Sequence, residues 1–275
     1  MRELPPVNTG LLAEMLERFL AEELRASGLS GYVVGLSGGV DSAVSAALGV
    51  AAVGRERVHA LALPGPASSP ESLRDARAVA DAFDLRLETI EIAPAAETLA
   101  VALGARADRV RFGNLLARLR MVALFDRART VPALVLGTSN KSEILLGYST
   151  LFGDSACSVN PLGDVWKTHV FRLAEQLGLP AFLLDKPPSA DLWAGQTDAD
   201  ELGFDYAEAD PVLYWHHEQG LDREALVAAG FAPALVDRVL LAYRRSRFKW
   251  RPTVVARTSA SCVNVDRILP RNPER

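Results

Sequence analysis

Six consecutive residues, Ser37-Gly38-Gly39-Val40-Asp41-Ser42, carry the chemistry most particular to this sequence. An apolar, strand-like run at 32–36 leads into them through Gly35 and Leu36, and a helix of small residues opens at Ser42. Two adjacent glycines let the backbone approach an anion closely, and a helix N-terminus offers unpaired N–H groups and about half a positive charge. The hydroxyls of Ser37 and Ser42 add donors. A carboxylate at Asp41 would repel bare phosphate, so its presence predicts an accompanying magnesium ion. A plain strand-to-helix turn, capped by Asp41 and Ser42, would use the same residue types.

The loop lacks the G-x-x-x-x-G-K-[ST] pattern and its lysine, which disfavours transfer of a γ-phosphate. Its S-G-G-x-D-S form resembles the loop of the ATP pyrophosphatases, which cleave ATP between the α and β phosphates and adenylate a substrate oxygen. A second polar segment, Thr138-Ser139-Asn140-Lys141-Ser142-Glu143, also follows an apolar run. It reads as a helix cap with Glu143 in the first turn, or as the source of a second carboxylate. Magnesium commonly takes one or two carboxylates with phosphate oxygens and water, and Asp41 with Glu143 would supply that pair. Only four of the 30 basic residues are lysines, at 141, 167, 186 and 249. A compact point charge is not interchangeable with a guanidinium, so these lysines are site candidates, although a general arginine preference would also leave a few behind.

The elements that must hold these segments alternate. Helical periodicity over 11–24 is followed by strand-like runs at 31–36, 58–63, 85–92 and 132–136, with helical stretches at 70–83 and 108–128. This pattern predicts an α/β fold: a doubly wound, mainly parallel sheet with helices on both faces and ligands at the carboxyl ends of its strands. Segments 37–42, 63–69 and 137–143 all follow strands and should converge on one sheet edge. Beyond about residue 153 the sequence turns to loops and helices at 167–178, 206–219 and 233–247, a helical C-terminal extension. Residues 1–275 are expected to form a single domain.

Composition narrows the function classes. At 49% hydrophobic the chain can bury a large core, which excludes a disordered or fibrous protein. A net charge of −4 lacks the footprint of a nucleic-acid binder. Two cysteines, Cys157 and Cys262, make neither a disulfide scaffold nor metal-ligand spacing, and no apolar run reaches membrane-spanning length. The expectation is a cytoplasmic protein acting on small molecules, with no membrane and no nucleic-acid partner. His216 and His217 are adjacent and point to different sides of a helix, so they read as structural. His169 reads the same way. The run 244–251 reads either as a solvated helix end or as a basic closure over phosphate.

Taken together, the S-G-G-V-D-S loop, GNLLARLRM at 113–121, GTSNKSEILLGY at 137–148, GD at 153–154, NPLGDVWKTHV at 160–170 and KPPSADLWAGQTD at 186–198 resemble the NAD synthetase family over most of the chain. That resemblance implies ATP-dependent amidation of deamido-NAD with ammonia through an adenylated intermediate. Residue by residue, it implies ATP contacts at Gly35, Leu36, Ser37, Gly38, Gly39, Val40, Asp41, Ser42, Thr138, Lys167 and Ser189. It implies deamido-NAD contacts at Asn114, Arg118, Asp154 and Lys249, a magnesium site at Asp41 and Glu143, and catalytic roles for Asp41 and Lys167. No ligand role is implied for Arg120 or Met121. Neither step calls for a protein nucleophile, in keeping with cysteines that lack a supporting histidine. The resemblance also implies a homodimer, for which the helix over 108–128 is the expected contact.

Four positions depart from the family pattern: Leu151, Ser158, Ala199 and Phe248, mostly on the dinucleotide side. The chain has no room for the glutaminase domain of the larger members, so free ammonia or a separate glutaminase is implied. Two other readings remain open: an ATP pyrophosphatase with a different acceptor, and a nucleotide-binding module without turnover.

Overall fold

The computed structural model describes residues 3–66, 68–193, 195–250 and 253–261. Cys262 and Arg251 lie outside the described residues. Helix α1 (Thr9–Ser27) leads into β1 (Gly31–Gly35), α2 (Val40–Val53), β2 (Val58–Ala62), α3 (Pro70–Ala82), β3 (Leu87–Thr89), α4 (Ala93–Ala102), α5 (Arg109–Thr130) and β4 (Ala133–Val135). Then come α6 (Lys141–Leu146), α7 (Lys167–Gln176), α8 (Phe182–Asp185), α9 (Asp198–Leu202), α10 (Tyr206–Leu213), α11 (Arg223–Ala228) and α12 (Pro233–Trp250).

The four strands are parallel, in the order β3-β2-β1-β4. The chain winds outward from β1 to β3 and then returns to the other side of β1. Between β1 and β4 the direction of winding therefore reverses, and a crevice opens at their carboxyl ends.

Alternation along β1 decides which helices cover which face. Tyr32, Val34 and Leu36 join one buried cluster with α1, α2, α3 and α7, whereas Val33 joins the opposite cluster with α4 and α5. The Tyr32 hydroxyl, buried with its ring, donates to Leu20 O at 2.6 Å and so fixes α1 against the sheet without an unsatisfied donor. A third cluster lies off the sheet, where Leu145 and Leu146 of α6 and Trp166 pack against α10, α11 and α12. This is the C-terminal helical extension.

Three elements, among others, differ from the sequence reading. The run at 85–92 contributes only a three-residue strand, largely exposed at the sheet edge, and α4 follows it directly. The helix expected over 206–219 is regular only to Leu213. Pro211 interrupts its hydrogen bonding, and a π-helical turn follows at Tyr214–Glu218. The last helix runs on to Trp250, three residues past the expected end. Among the described residues no helix is long and apolar enough to cross a membrane.

Candidate active site

A cavity of about 660 Å³ opens at the carboxyl ends of β1, β2 and β4. It collects Gly35, Leu36, Ser37, Gly39, Val40, Asp41, Ser42, Thr138, Glu143, Lys167 and Ser189, together with Asn114, Asp154 and Lys249. Two expected residues do not line it. Gly38 turns its backbone away, at φ +76°, and a Cβ there would meet Ser72 O at 2.4 Å. Arg118 is exposed, and its guanidinium donates to Leu151 O at 3.3 Å, anchoring the turn that carries Asp154.

The loop after β1 is held open by its own side chains. Ser42 Oγ donates to Gly39 O at 2.9 Å, accepts from Ser37 N at 3.3 Å, and lies 3.1 Å from Ser37 Oγ. Gly39 is the N-cap of α2 with no side-chain cap bond, so the first turn of that helix keeps amides available for an anion. Ser45, one turn further on and fully buried, donates to Gly137 O at 3.0 Å. That bond ties the helix after β1 to the end of β4, and so fixes Thr138 relative to the loop.

The segment 138–143 is indeed a capping sequence. Asn140 Oδ1 accepts from Glu143 N at 3.0 Å, and Glu143 Oε2 accepts from Asn140 N at 3.2 Å, a reciprocal capping box. The same residues also serve the cavity. Asn140 Nδ2 donates to Asp41 Oδ1 at 2.9 Å, and the Lys167 ammonium donates to Asp41 Oδ2 at 2.5 Å and to Glu143 Oε1 at 3.2 Å. Lys167 is 2% exposed and lies 5.3 Å from the centre of the Tyr206 ring. Burial opposes its charge, but Asp41, Glu143 and Asp198 overcome this and hold the ammonium above the ordinary lysine range. Burial pushes the Glu143 carboxyl up, against the attraction of Lys167. Nearby Asp198, 3% exposed and also raised by burial, has an Oδ1 without a hydrogen-bond partner. Hard carboxylate oxygens beside an anion-binding loop suit magnesium, so Asp41 and Glu143 fit that ion.

On the opposite wall Thr150 organises the other candidates. Its hydroxyl donates to Asn114 Oδ1 at 2.6 Å and its N–H to Asp154 Oδ1 at 2.7 Å. Burial raises Asp154. Lys249 donates to Gly147 O and Ser149 O, both at 2.6 Å, and burial lowers its ammonium despite Asp154. The basic end of α12 is therefore docked on the turn after α6.

Two further residues, neither given a ligand in the sequence analysis, hold the loops around the cavity. Lys186, which also lines the cavity, donates to Gly38 O at 3.0 Å and to Asp75 at 2.5 Å, bracing the phosphate loop. Arg120 donates to Leu63 O and to Ser68 Oγ, both at 3.2 Å, and holds the loop after β2 over the cavity. The scarcity of lysine pointed to Lys186; Arg120 stood within the family-like segment 113–121 with no ligand role assigned to it.

The departures take structural places. The Leu151 carbonyl receives Arg118, and Ser158 Oγ accepts from Val135 N at 3.2 Å. Ala199 is exposed on α9, and Phe248 is 66% exposed. The histidines make separate contacts: His216 with Leu221 O at 2.7 Å, His217 with Tyr243 Oη at 2.8 Å and His169 with Pro5 O at 3.2 Å. Among the described residues no group of three or more His, Cys, Asp or Glu is arranged to hold a metal. Cys157 is half-buried against Gly137, where a Cβ would fall 2.7 Å from its sulfur.

Comparison with known proteins gives a consistent result. The family model described as NAD synthase matches residues 12–253. The NH(3)-dependent NAD(+) synthetase of Chlorobaculum tepidum is 45% identical over 94% of this chain and 92% of its own length, and that of Trichlorobacter lovleyi 44% over 94% and 95%. Among solved structures, the NH3-dependent NAD synthetase of Campylobacter jejuni superposes with a TM-score of 0.78 at 31% identity, over 91% of this chain and all of that one. The NMN synthetase of Francisella tularensis gives 0.78 at 33%, over 93% and 100%.

Proposed function

The chain belongs to the NAD synthase family, and from that premise we propose how its cavity carries out the ATP-dependent amidation of deamido-NAD to NAD with ammonia. The observation that carries the reading is the Lys167 ammonium set between Asp41 and Glu143 beside the phosphate loop. Gly35 to Ser37, Gly39 to Ser42, Thr138, Lys167 and Ser189 would bind ATP, with Gly38 shaping the turn of that loop; Asn114, Asp154 and Lys249 would face deamido-NAD, and Arg118, outside the cavity, would anchor the turn that carries Asp154.

In the first step the nicotinate carboxylate oxygen attacks the α-phosphorus and pyrophosphate departs. Negative charge grows on the transferring and leaving groups, and the loop amides with the Lys167 ammonium are preorganised to meet it. In the second step ammonia attacks the mixed anhydride carbonyl, loses a proton and displaces AMP. Asp41 and Glu143 would hold magnesium, which when bound supplies charge neutralisation on the phosphate oxygens. The protein's own contribution is position and fixed charge, with no covalent intermediate on a side chain.

Further parts of this reading are a cytoplasmic enzyme, a single synthetase domain fed with ammonia, and a homodimer. Val110, Val122 and Phe125 on α5, at 55%, 55% and 39% exposure, are apolar groups that such a contact would cover. The decisive assay follows NAD formation from deamido-NAD with ammonium against glutamine, counting AMP and pyrophosphate. Stoichiometric release with deamido-NAD and ammonium is expected. Release with the mononucleotide half or another acceptor alone, or ATP binding with no AMP under any ammonia supply, would overturn it.

A further inference from the structure

Asp210 is fully buried on α10 and does not line the cavity, yet it is joined to both helices that deliver the central charges. Its Oδ1 accepts from Ser142 Oγ at 2.5 Å, and its Oδ2 accepts from Thr168 N and Thr168 Oγ1, both at 2.9 Å. Ser142 Oγ in turn accepts from Lys167 N at 2.9 Å. Ser142 precedes Glu143 in the first turn of α6, and Thr168 follows Lys167 in the first turn of α7.

Helix α7 has Trp166 as its N-cap and no side-chain cap bond of its own. Its first two amides would otherwise be orphan donors in a buried site, a costly arrangement. They are satisfied instead by a hydroxyl from α6 and a carboxylate from α10. One acceptor group therefore caps one helix and locks the start of another against it. The distance over which the Lys167 ammonium must reach both Asp41 and Glu143 depends on that lock, since those carboxylates come from different segments and the contacts are 2.5 and 3.2 Å long.

We infer that Asp210 is a positioning residue for the reaction: acting through Ser142 and the Lys167 and Thr168 amides, it sets the spacing of Lys167 from Glu143 and hence the geometry that meets the α-phosphorus. This rests on the reading of Lys167 and Glu143 given under Proposed function. The carboxylate offers acceptors on both oxygens; Asp210→Asn would turn an amide donor either toward the Thr168 N–H, which can only donate, or toward Ser142 Oγ, whose own proton would then lose its acceptor.

The test compares Asp210→Asn and Ser142→Ala with wild type, scaling turnover to the number of ATP-binding sites counted by calorimetry. Asp237→Asn, a surface change at the exposed Arg223 pair, is the control. The expected result for Asp210→Asn is a fall of at least about tenfold in kcat, with KM for ATP and deamido-NAD within about threefold, since an interaction that matters in the transition state lowers kcat and leaves binding. Ser142→Ala, which breaks the bridge but keeps the carboxylate, should show the same split. A loss confined to the count of active sites or to KM, or a kcat within about twofold of wild type, would overturn the inference. If Asp210→Asn does not fold, Ser142→Ala decides by the same criteria. Wild type inactive with deamido-NAD would instead remove the functional reading beneath it.

Discussion

Lys167 Nζ stands 2.5 Å from Asp41 Oδ2 although the two residues are 126 positions apart in the chain. The contact joins the helix after β1 to α7 and places a single ammonium between two carboxylates. Replacing it by an uncharged side chain of similar length leaves Asp41 and Glu143 facing each other with their charges uncompensated.

Lys167→Met is therefore expected to reduce pyrophosphate release by about 100-fold or more, the scale seen when one preorganised charge-stabilising donor is removed. It should also destabilise the fold by about 3 kcal/mol, the lower end of the cost of breaking a buried ion pair from one side. Pyrophosphate release and chemical denaturation measure the two effects separately. Near-wild-type release would remove Lys167 from the chemistry.

Glu143→Gln keeps the shape of the capping box while deleting a charge. Its amide can still be oriented toward Asn140 N through its oxygen, so α6 should form. The magnesium concentration giving half-maximal rate is expected to rise about tenfold or more, as coordinating charge is lost. Titration of the rate with magnesium, beside a thermal melt, checks this; an unchanged requirement would place the ion elsewhere.

Much of this site could be read before any fold was known, for a physical reason. A loop that must approach phosphate needs glycine, and a metal needs carboxylates, so Gly38, Gly39, Asp41 and Glu143 are constrained by type. The parallel sheet was legible because strands and helices alternate, and β1, β2 and β4 are apolar apart from His59. Edge strand β3 is regular only over Leu87–Thr89; Ile90 and Ile92 still donate to Ala62 O and Pro64 O, at 2.9 and 3.2 Å, but belong to the approach to α4, where their apolar character serves the core. Asp210 was not legible. Its function lies in contacts with residues 42 and 68 positions away, and a lone Asp beside Pro211 looks like an ordinary helix residue.

Gly38 tests the backbone of the phosphate loop independently of any charge. At φ +76° a side chain is strained, and the Cβ would also meet Ser72 O at 2.4 Å and Asp75 Cβ at 2.9 Å. Backbone atoms of α3 cannot swing aside as a flexible side chain would. Gly38→Ala should cost about 1–3 kcal/mol of stability, the range for a residue forced into a sparsely populated conformation. Because relief of the clash moves the loop, ATP affinity by calorimetry should fall as well. Retained affinity with the same thermal stability would show that this turn does not shape the anion site.

Asp210 makes stability depend on pH in a definite direction. Burial raises its carboxyl from an ordinary 3.8 to about 6, with the hydrogen bonds from Ser142 and Thr168 only partly opposing that rise. A carboxyl raised in the folded state binds its proton more tightly there than in the unfolded chain. Its contribution to stability is therefore full below 3.8 and is lost as pH rises through about 6. Asp210→Asn cannot titrate and lacks this slope. Between about pH 7 and about pH 4.5 wild type should gain on the variant by about 2 kcal/mol, from about 1.5 units of linked protonation at about 1.36 kcal/mol each. Urea denaturation of both proteins at the two pH values measures the difference. A constant offset between them would mean that the carboxyl titrates as it does in water, which would contradict the burial that gives this side chain its place.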